Sequence, residues 1–214
     1  MIDRLLSVRT HRHLILGVAV VALAAGPSSA QTSAEIFGGA SVLAAANGST
    51  EFALPTDSRG VAAMVGVSVG SAENRWSVAV EGEVSRTLTS EIPGAIKAGP
   101  VTYVIKQRPR LGSVLLGVAL PKSARVRLVP LIGASLVQNA PSIRYSFQDT
   151  PTLESEQTSL AWSGGLDLAV SGPHLVLRVP RVRVHYLTGV EREFNGFGAP
   201  RVIWSIGATL GWRF

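Results

Sequence analysis

The amino-acid sequence predicts an all-β protein, an eight-stranded antiparallel up-and-down transmembrane β-barrel. The last residues, 201–214, alternate between apolar side chains and small or charged ones, which is the period of a strand with one apolar and one polar face. Seven further segments alternate in the same way or nearly so, and short and long connections follow each other in strict turn. That order is typical of a membrane-spanning meander whose long loops all lie at one end.

The first segment of the chain, 1–30, has the pattern of a secretory signal peptide. A region with three arginines precedes an apolar stretch from Leu14 to Gly26, and small residues at 28–30 suit a cleavage site. The apolar stretch is too short to cross a hydrocarbon core of roughly 30 Å as a helix, which takes about 20 residues. The sequence therefore predicts a signal peptide at 1–30 and one β-barrel domain at 31–214, which crosses a membrane with strands.

The first four predicted strands lie at 34–43, 60–69, 75–88 and 103–120. The first is the weakest, because 36–40 fits either phase of the alternation. The second alternates valine with alanine, glycine and serine, and the third places Trp76 on the face opposite Glu81. The fourth changes phase after Pro109, where we predict a β-bulge rather than a break, because both flanks still alternate.

The last four predicted strands lie at 125–138, 158–171, 174–187 and 201–214. In the fifth, Val129 and Leu131 blur an otherwise regular alternation. The sixth opposes leucines and Trp162 to serine, glycine and aspartate. The seventh changes phase at Pro180-Arg181, and because proline lacks the donor for a strand ladder, we predict a β-bulge there.

The connections predict the orientation of the strands. Three are short turns, at 70–74, 121–124 and 172–173, and the others are long and rich in Gly, Pro, Ser and Thr. The long connections lie at 44–59, 89–102, 139–157 and 188–200. With all long loops on one side, both ends of the domain lie on the side of the short turns.

Alternation alone leaves open whether the apolar face lies inside, as in a soluble lipocalin-type barrel, or outside against lipid. The aromatic residues favour lipid, because along alternating strands they fall into two bands, as Trp and Tyr do at the two membrane interfaces. The predicted interface residues are Trp76, Tyr103, Trp162, Tyr186, Trp204, Trp212 and Phe214.

The polar face predicts an ionic network in the lumen, since eight strands leave an interior just wide enough for side chains. Around the 172–173 turn, Asp167 is predicted to lie directly opposite Arg178. The predicted network comprises Glu81, Glu83, Arg127, Asp167, Arg178, Arg183 and Arg213.

Several kinds of site are not predicted. The chain has no cysteine, which excludes thiol catalysis, disulfides and zinc–thiolate sites. After the signal segment only His174 and His185 remain, so no metal set is expected. The formal net charge is +6 without a run of lysines and arginines, so nucleic acid is not an expected partner. We predict no cofactor.

The chain resembles the small bacterial outer-membrane β-barrel proteins of the OmpA/OmpX-like group. The resemblance rests on the signal peptide, the start at 36–41 (IFGGAS), the eight strands and the ending at 210–214 (LGWRF). It implies a monomer in the cell outer membrane, in contact with outer-membrane lipid and lipopolysaccharide. It also implies that the terminal strand is read by the barrel-assembly machinery.

The resemblance implies no particular activity. Some barrels of this size modify lipid A, but the His-Ser spacing that this chemistry requires is absent around His185, so we predict no enzyme. The basic residues Lys106, Arg108 and Arg110 either contact lipopolysaccharide or form a solvated rim. The leading hypothesis is a structural or surface-interaction protein with contact surfaces at 139–157 and 188–200. The alternatives are a narrow channel for small or hydrophobic solutes and a soluble periplasmic barrel that binds an apolar ligand.

Overall fold

The computed structural model describes residues 32–46, 58–71, 75–96, 99–121, 125–140, 142–145, 153–154, 156–188 and 201–214. The predicted signal peptide and the loop at 189–200 lie outside these residues. Within them the regular structure is β-strand. The strands are β1 Thr32–Ala46, β2 Ser58–Ser71, β3 Trp76–Ser85, β4 Leu88–Ile96, β5 Gly99–Gln107, β6 Arg110–Val118, β7 Val126–Asn139, β8 Ser142–Tyr145, β9 Leu153–Glu154, β10 Gln157–Ser171, β11 Leu175–Thr188 and β12 Val202–Arg213.

Eight of these strands form a closed antiparallel barrel, which confirms the predicted fold class. Around the barrel the order is β1-β12-β11-β10-β7-β6-β3-β2, and β2 pairs again with β1. At the closing seam Gly39 and Gly207 leave no room for a Cβ, which would overlap the main-chain oxygens of Ala208 and Ala40. Closure leaves no free edge in the barrel wall.

The two ends of the barrel differ. The connections β2–β3, β6–β7 and β10–β11 are short and lie at one end, together with the start of β1 and the close of β12. We call this the turn end and the opposite end the loop end. Within the described residues no helix is long and apolar enough to cross a membrane.

A second sheet stands at the loop end, where the sequence predicted loops. Its order is β4-β5-β8-β9, built from the connections between β3 and β6 and between β7 and β10. The prediction of one bulged strand at 103–120 is wrong, because the barrel strand starts only at Arg110. Pro109 has no N–H for a ladder, and its carbonyl oxygen accepts hydrogen bonds from the Ser85 N–H (3.2 Å) and hydroxyl (3.1 Å).

The predicted bulge in β11 is confirmed. Opposite β12, Arg178 pairs with Thr209 while Arg181 pairs with Gly207, so the register shifts between them. Val176 and Arg178 point into the lumen before the shift, whereas Arg181 and later odd-numbered residues do so after it. The extra residue therefore turns the polar side chains of both halves of β11 inward.

The lumen of the barrel is filled in layers. At the loop end lies an apolar cluster composed of Leu43, Ala45, Ala62, Leu88, Leu111, Val137, Ala161, Leu187 and Ile203. The next inward-facing positions toward the turn end include polar side chains. On β7, Ser135 lies below Val137 in this sense, and on β11 His185 lies below Leu187. Buried carboxylates and guanidiniums follow, and a cavity lies at the turn end.

We expect deletion of Pro180 to prevent assembly of the barrel. With one residue fewer, either Arg178 or the row beginning at Arg181 must point to the outer face. Pro180→Ala keeps the residue count, so we expect it to keep the register on both sides of the bulge and to assemble. Heat-dependent gel mobility and urea unfolding in detergent measure both variants. A deletion variant that folds with wild-type yield would contradict the assigned role of the bulge.

Candidate functional site

Seven charged side chains form one continuous ionic chain inside the barrel. Positive and negative groups alternate along it, and it joins β12, β1, β11, β10 and β3. In order the members are Arg213, Glu35, Arg178, Asp167, Arg183, Glu81 and Arg181.

Each carboxylate of the ionic chain lies between two guanidiniums. Arg183 donates to Asp167 Oδ1 at 2.5 Å from Nη1 and to Glu81 Oε1 at 2.8 Å from Nη2. Arg181 donates to the other oxygen of Glu81. Arg178 contacts Asp167 Oδ2 at 3.5 Å and donates to Glu35 Oε2 at 3.0 Å. Because these carboxylates are buried, such pairing is what makes their charged state tolerable.

The structure brings together most of the residues predicted for the lumen. Glu83 instead accepts hydrogen bonds from the hydroxyls of Ser41 and Ser205, the latter at 3.3 Å. Arg127 lines the cavity at the turn end. The remaining five lie in the ionic chain, namely Glu81, Asp167, Arg178, Arg183 and Arg213.

Two members of the ionic chain, Glu35 and Arg181, were not predicted. Glu35 lies in β1, the strand whose phase the sequence left ambiguous, and Arg181 lies at the bulge. The predicted register was also wrong, because Ala169 rather than Asp167 lies directly opposite Arg178. The last hydrogen bond of this hairpin runs from Gly172 N–H to the Leu175 carbonyl at 2.7 Å and encloses residues 173 and 174, so the two-residue turn lies one residue later than predicted. Asp167 reaches Arg178 only diagonally.

The outer face of the barrel is apolar. Every barrel strand presents exposed large hydrophobic residues, and Ile132 near mid-strand is 68% exposed. We call this surface the apolar belt. Its members include Ile36, Val42, Val61, Val65, Val84, Val114, Leu116, Leu128, Ile132, Leu136, Leu160, Leu166, Leu177, Val184, Ile206 and Leu210.

Six of the seven predicted interface aromatics belong to barrel strands or follow one directly. Trp162 and Tyr186 pair directly near the loop end, where Trp204 also lies. Trp76, Trp212 and Phe214 lie at the turn end and are exposed, and His174 stacks on Trp212 with ring centroids 5.5 Å apart. The prediction for Tyr103 is wrong, because this residue lies in the second sheet and not in a barrel strand. It belongs to β5, which pairs with β4 and β8.

A buried serine–histidine cluster was also missed. His185 Nδ1 lies 2.8 Å from Ser163 Oγ and 3.1 Å from Ser135 Oγ, and Ser135 bonds to Ser113 at 2.6 Å. The residues come from four strands, so no local sequence spacing indicates the cluster. Nε2 of His185 has no hydrogen-bond partner among the described residues, so no third group orients the ring as in a catalytic triad.

Other sequence features lie at the rim or yield no site. Lys106, Arg108 and Arg110 are exposed at the loop end, and Arg108 Nε donates to Thr87 Oγ1 at 2.9 Å. Within the described ranges, no group of three or more His, Asp or Glu side chains is placed to hold a metal ion.

Comparisons with known proteins establish the fold. No family model matches the chain, and no curated protein sequence matches it. Among solved structures, it is similar to a major outer membrane protein of Thermus thermophilus, with a TM-score of 0.58 and 12% identity over 85% of this chain and 99% of the other. It is also similar to the N-terminal β-barrel domain of Pseudomonas aeruginosa OprF, with a TM-score of 0.50 and 11% identity over 86% of this chain and 99% of that domain. The predicted resemblance is thus confirmed at the level of the fold.

We expect Asp167→Ala to destabilise the barrel by about 3–5 kcal/mol, because it removes a shared partner of two buried or half-buried guanidiniums. Glu156→Ala is the matched control, since this exposed carboxylate precedes the same strand and its loss should change the stability by less than about 0.5 kcal/mol. Urea unfolding in detergent, followed by tryptophan fluorescence, gives both values. Equal losses for the two variants would show that the ionic chain does not stabilise the fold.

Proposed function

We propose that this protein is an integral β-barrel of the cell outer membrane with a structural or surface-interaction role and no enzymatic activity. The apolar belt is the observation that carries the proposal. Soluble monomers rarely expose contiguous apolar patches larger than a few hundred Å². Here all eight barrel strands contribute to such a surface, while six charged side chains of the described residues are buried in the interior. This is the reverse of a water-soluble barrel and fits a lipid environment.

The height of the apolar belt supports the same placement. Trp204 and Phe214 lie ten residues apart on the terminal strand. At about 3.3 Å per residue and a tilt near 40°, they are separated by roughly 25 Å along the barrel axis. That height matches the apolar band of outer-membrane barrels, and aromatic side chains mark both of its margins.

The layers of the lumen favour this role over the two alternatives. A soluble barrel with an apolar ligand needs an open apolar core, whereas the apolar cluster here is packed and the rest of the lumen contains many buried polar and charged side chains. A channel needs a polar path along the axis, whereas Leu43, Leu88 and Ile203 are fully buried across the loop end. A lipid-modifying enzyme needs an accessible nucleophile, and Ser163 is buried between the apolar cluster and the ionic chain.

The loop end supplies the proposed interaction surface. The second sheet extends the chain beyond the apolar belt, and Lys106, Arg108 and Arg110 lie exposed at its base. Cations immediately beyond an apolar belt are placed to meet the phosphates of lipopolysaccharide. We include this contact in the proposal, together with recognition of the terminal strand, ending in Phe214, by the barrel-assembly machinery.

Site-specific labelling tests the membrane placement. Because the chain has no cysteine, single-cysteine variants carry one label each. We expect a bimane label on Ile132→Cys or Leu210→Cys to be quenched by brominated lipid tails but not by aqueous iodide. Arg125→Cys at the turn end is the control and should show the opposite pattern. Quenching of the labels at 132 and 210 by iodide, without quenching by lipid, would refute the membrane placement.

Thermal melting in vesicles tests the contact with lipopolysaccharide. We expect lipopolysaccharide to stabilise the wild type against thermal unfolding. In a variant that combines Lys106→Gln, Arg108→Gln and Arg110→Gln, this stabilisation should be smaller by about 1 kcal/mol per removed cation. Arg125→Gln removes a cation at the opposite end and should keep the full stabilisation. The contact is excluded if the triple variant gains as much stability as the wild type.

A further inference from the structure

We propose that the turn end of the lumen binds a small oxyanion of the size of a phosphate group. The site is a cavity of about 230 Å³, and the ionic chain bounds it on the side of the loop end. Liquid water occupies about 30 Å³ per molecule, so the cavity has room for a phosphate and several waters. This inference goes beyond the proposed function and does not depend on it.

The charge of the cavity wall is the first argument. Six guanidiniums line the cavity against three carboxylates, so the wall carries three positive charges in excess. All three carboxylates are members of the ionic chain and already contact two guanidiniums each. Glu83 lies in the next layer, bonded to Ser41 and Ser205. Arg181 and Arg183 are buried, whereas the other four arginines of the wall are at least partly exposed to the cavity or the surroundings. The excess charge of the wall therefore attracts an anion into the cavity.

Arg181 is the second and independent argument. Its side chain is 1% exposed and lines the cavity, where one terminal nitrogen donates to Glu81. Its Nε and Nη1 atoms have no hydrogen-bond acceptor among the described residues. Buried donors are normally satisfied, and a guanidinium matches the oxygens of phosphate in charge and geometry. The ionic chain therefore ends in a residue of the cavity wall that has two donors without an acceptor among the described residues.

The cavity has a route for a ligand at the turn end. Arg75 and Trp76, at the start of β3, line it and are exposed to the surroundings. Arg127 and Arg213, near the turn-end termini of β7 and β12, also line the cavity, so its entrance is electropositive. In the proposed membrane orientation this entrance faces the periplasm. Either free phosphate or the phosphate group of a small phosphate ester satisfies the same chemistry.

Calorimetric titration of the full chain in a nonionic detergent tests the proposal. The probes are inorganic phosphate and methyl phosphate, with sodium chloride at equal ionic strength as the control. We expect saturable binding of phosphate that chloride does not reproduce. Arg181→Gln should weaken this binding about tenfold or more, because two charge-assisted donors are lost. Arg125→Gln, an exposed turn-end cation outside the cavity wall, should leave it unchanged.

A second variant keeps the test decisive if Arg181→Gln does not fold. Arg75→Gln alters an exposed residue of the cavity wall and should weaken phosphate binding several-fold without affecting folding. Stronger binding of methyl phosphate identifies an ester as the source, and stronger binding of inorganic phosphate identifies the free ion. The proposal is overturned if folded wild type gives no saturable phosphate signal, or if Arg125→Gln weakens binding as much as the cavity variants do.

Discussion

The pairing of buried charges across the lumen is the constraint on which the rest of the structure depends. Glu81 on β3 and Arg183 on β11 belong to strands that lie opposite each other in the closed barrel, so their hydrogen bonds span its interior. Asp167 and Glu35 continue the network to β10 and β1. Ladder hydrogen bonds join neighbouring strands only. Within the ionic chain, the contacts of Arg181 and Arg183 with Glu81 and of Arg178 with Glu35 join strands that are not neighbours. They therefore fix the cross-section that the eight strands enclose.

The ionic chain exists only because β11 changes phase. Its inward residues are even-numbered up to Arg178 and odd-numbered from Arg181, and the bulge between them is visible in the sequence as a change of apolar phase at a proline. Alternation and turn spacing were thus sufficient to predict the barrel and this bulge. They were insufficient to predict the ion pairs, because the residue opposite Asp167 depends on the exact position of the turn at 173–174 and on the bulge. Together these shift the pairing by three residues, from Arg178 to Arg181.

The second sheet shows where periodicity stops being informative. Residues 103–107 and 110–118 were predicted to form one strand, yet the first group pairs with β4 beyond the barrel and the second group forms its wall. Nothing in a period of two distinguishes a strand that stays in a barrel from a hairpin that extends past it. For the same reason Tyr103 was assigned to a barrel strand, whereas it belongs to β5 of the second sheet. The serine–histidine cluster could not be predicted for another reason. Its members lie on four different strands and come together only when the barrel forms.

The lumen is polarised along its axis, and this limits what the barrel can do. The apolar cluster occupies the loop end, whereas the ionic chain and the cavity occupy the turn end. A charged solute entering from the turn end meets compensating arginines, but it would have to shed both water and counter-charges to pass Leu43 and Ile203. The apolar cluster is therefore a desolvation barrier for ions at the loop end of the lumen. At the other end, the only polar surface offered to the surroundings by the described residues is the rim and the second sheet.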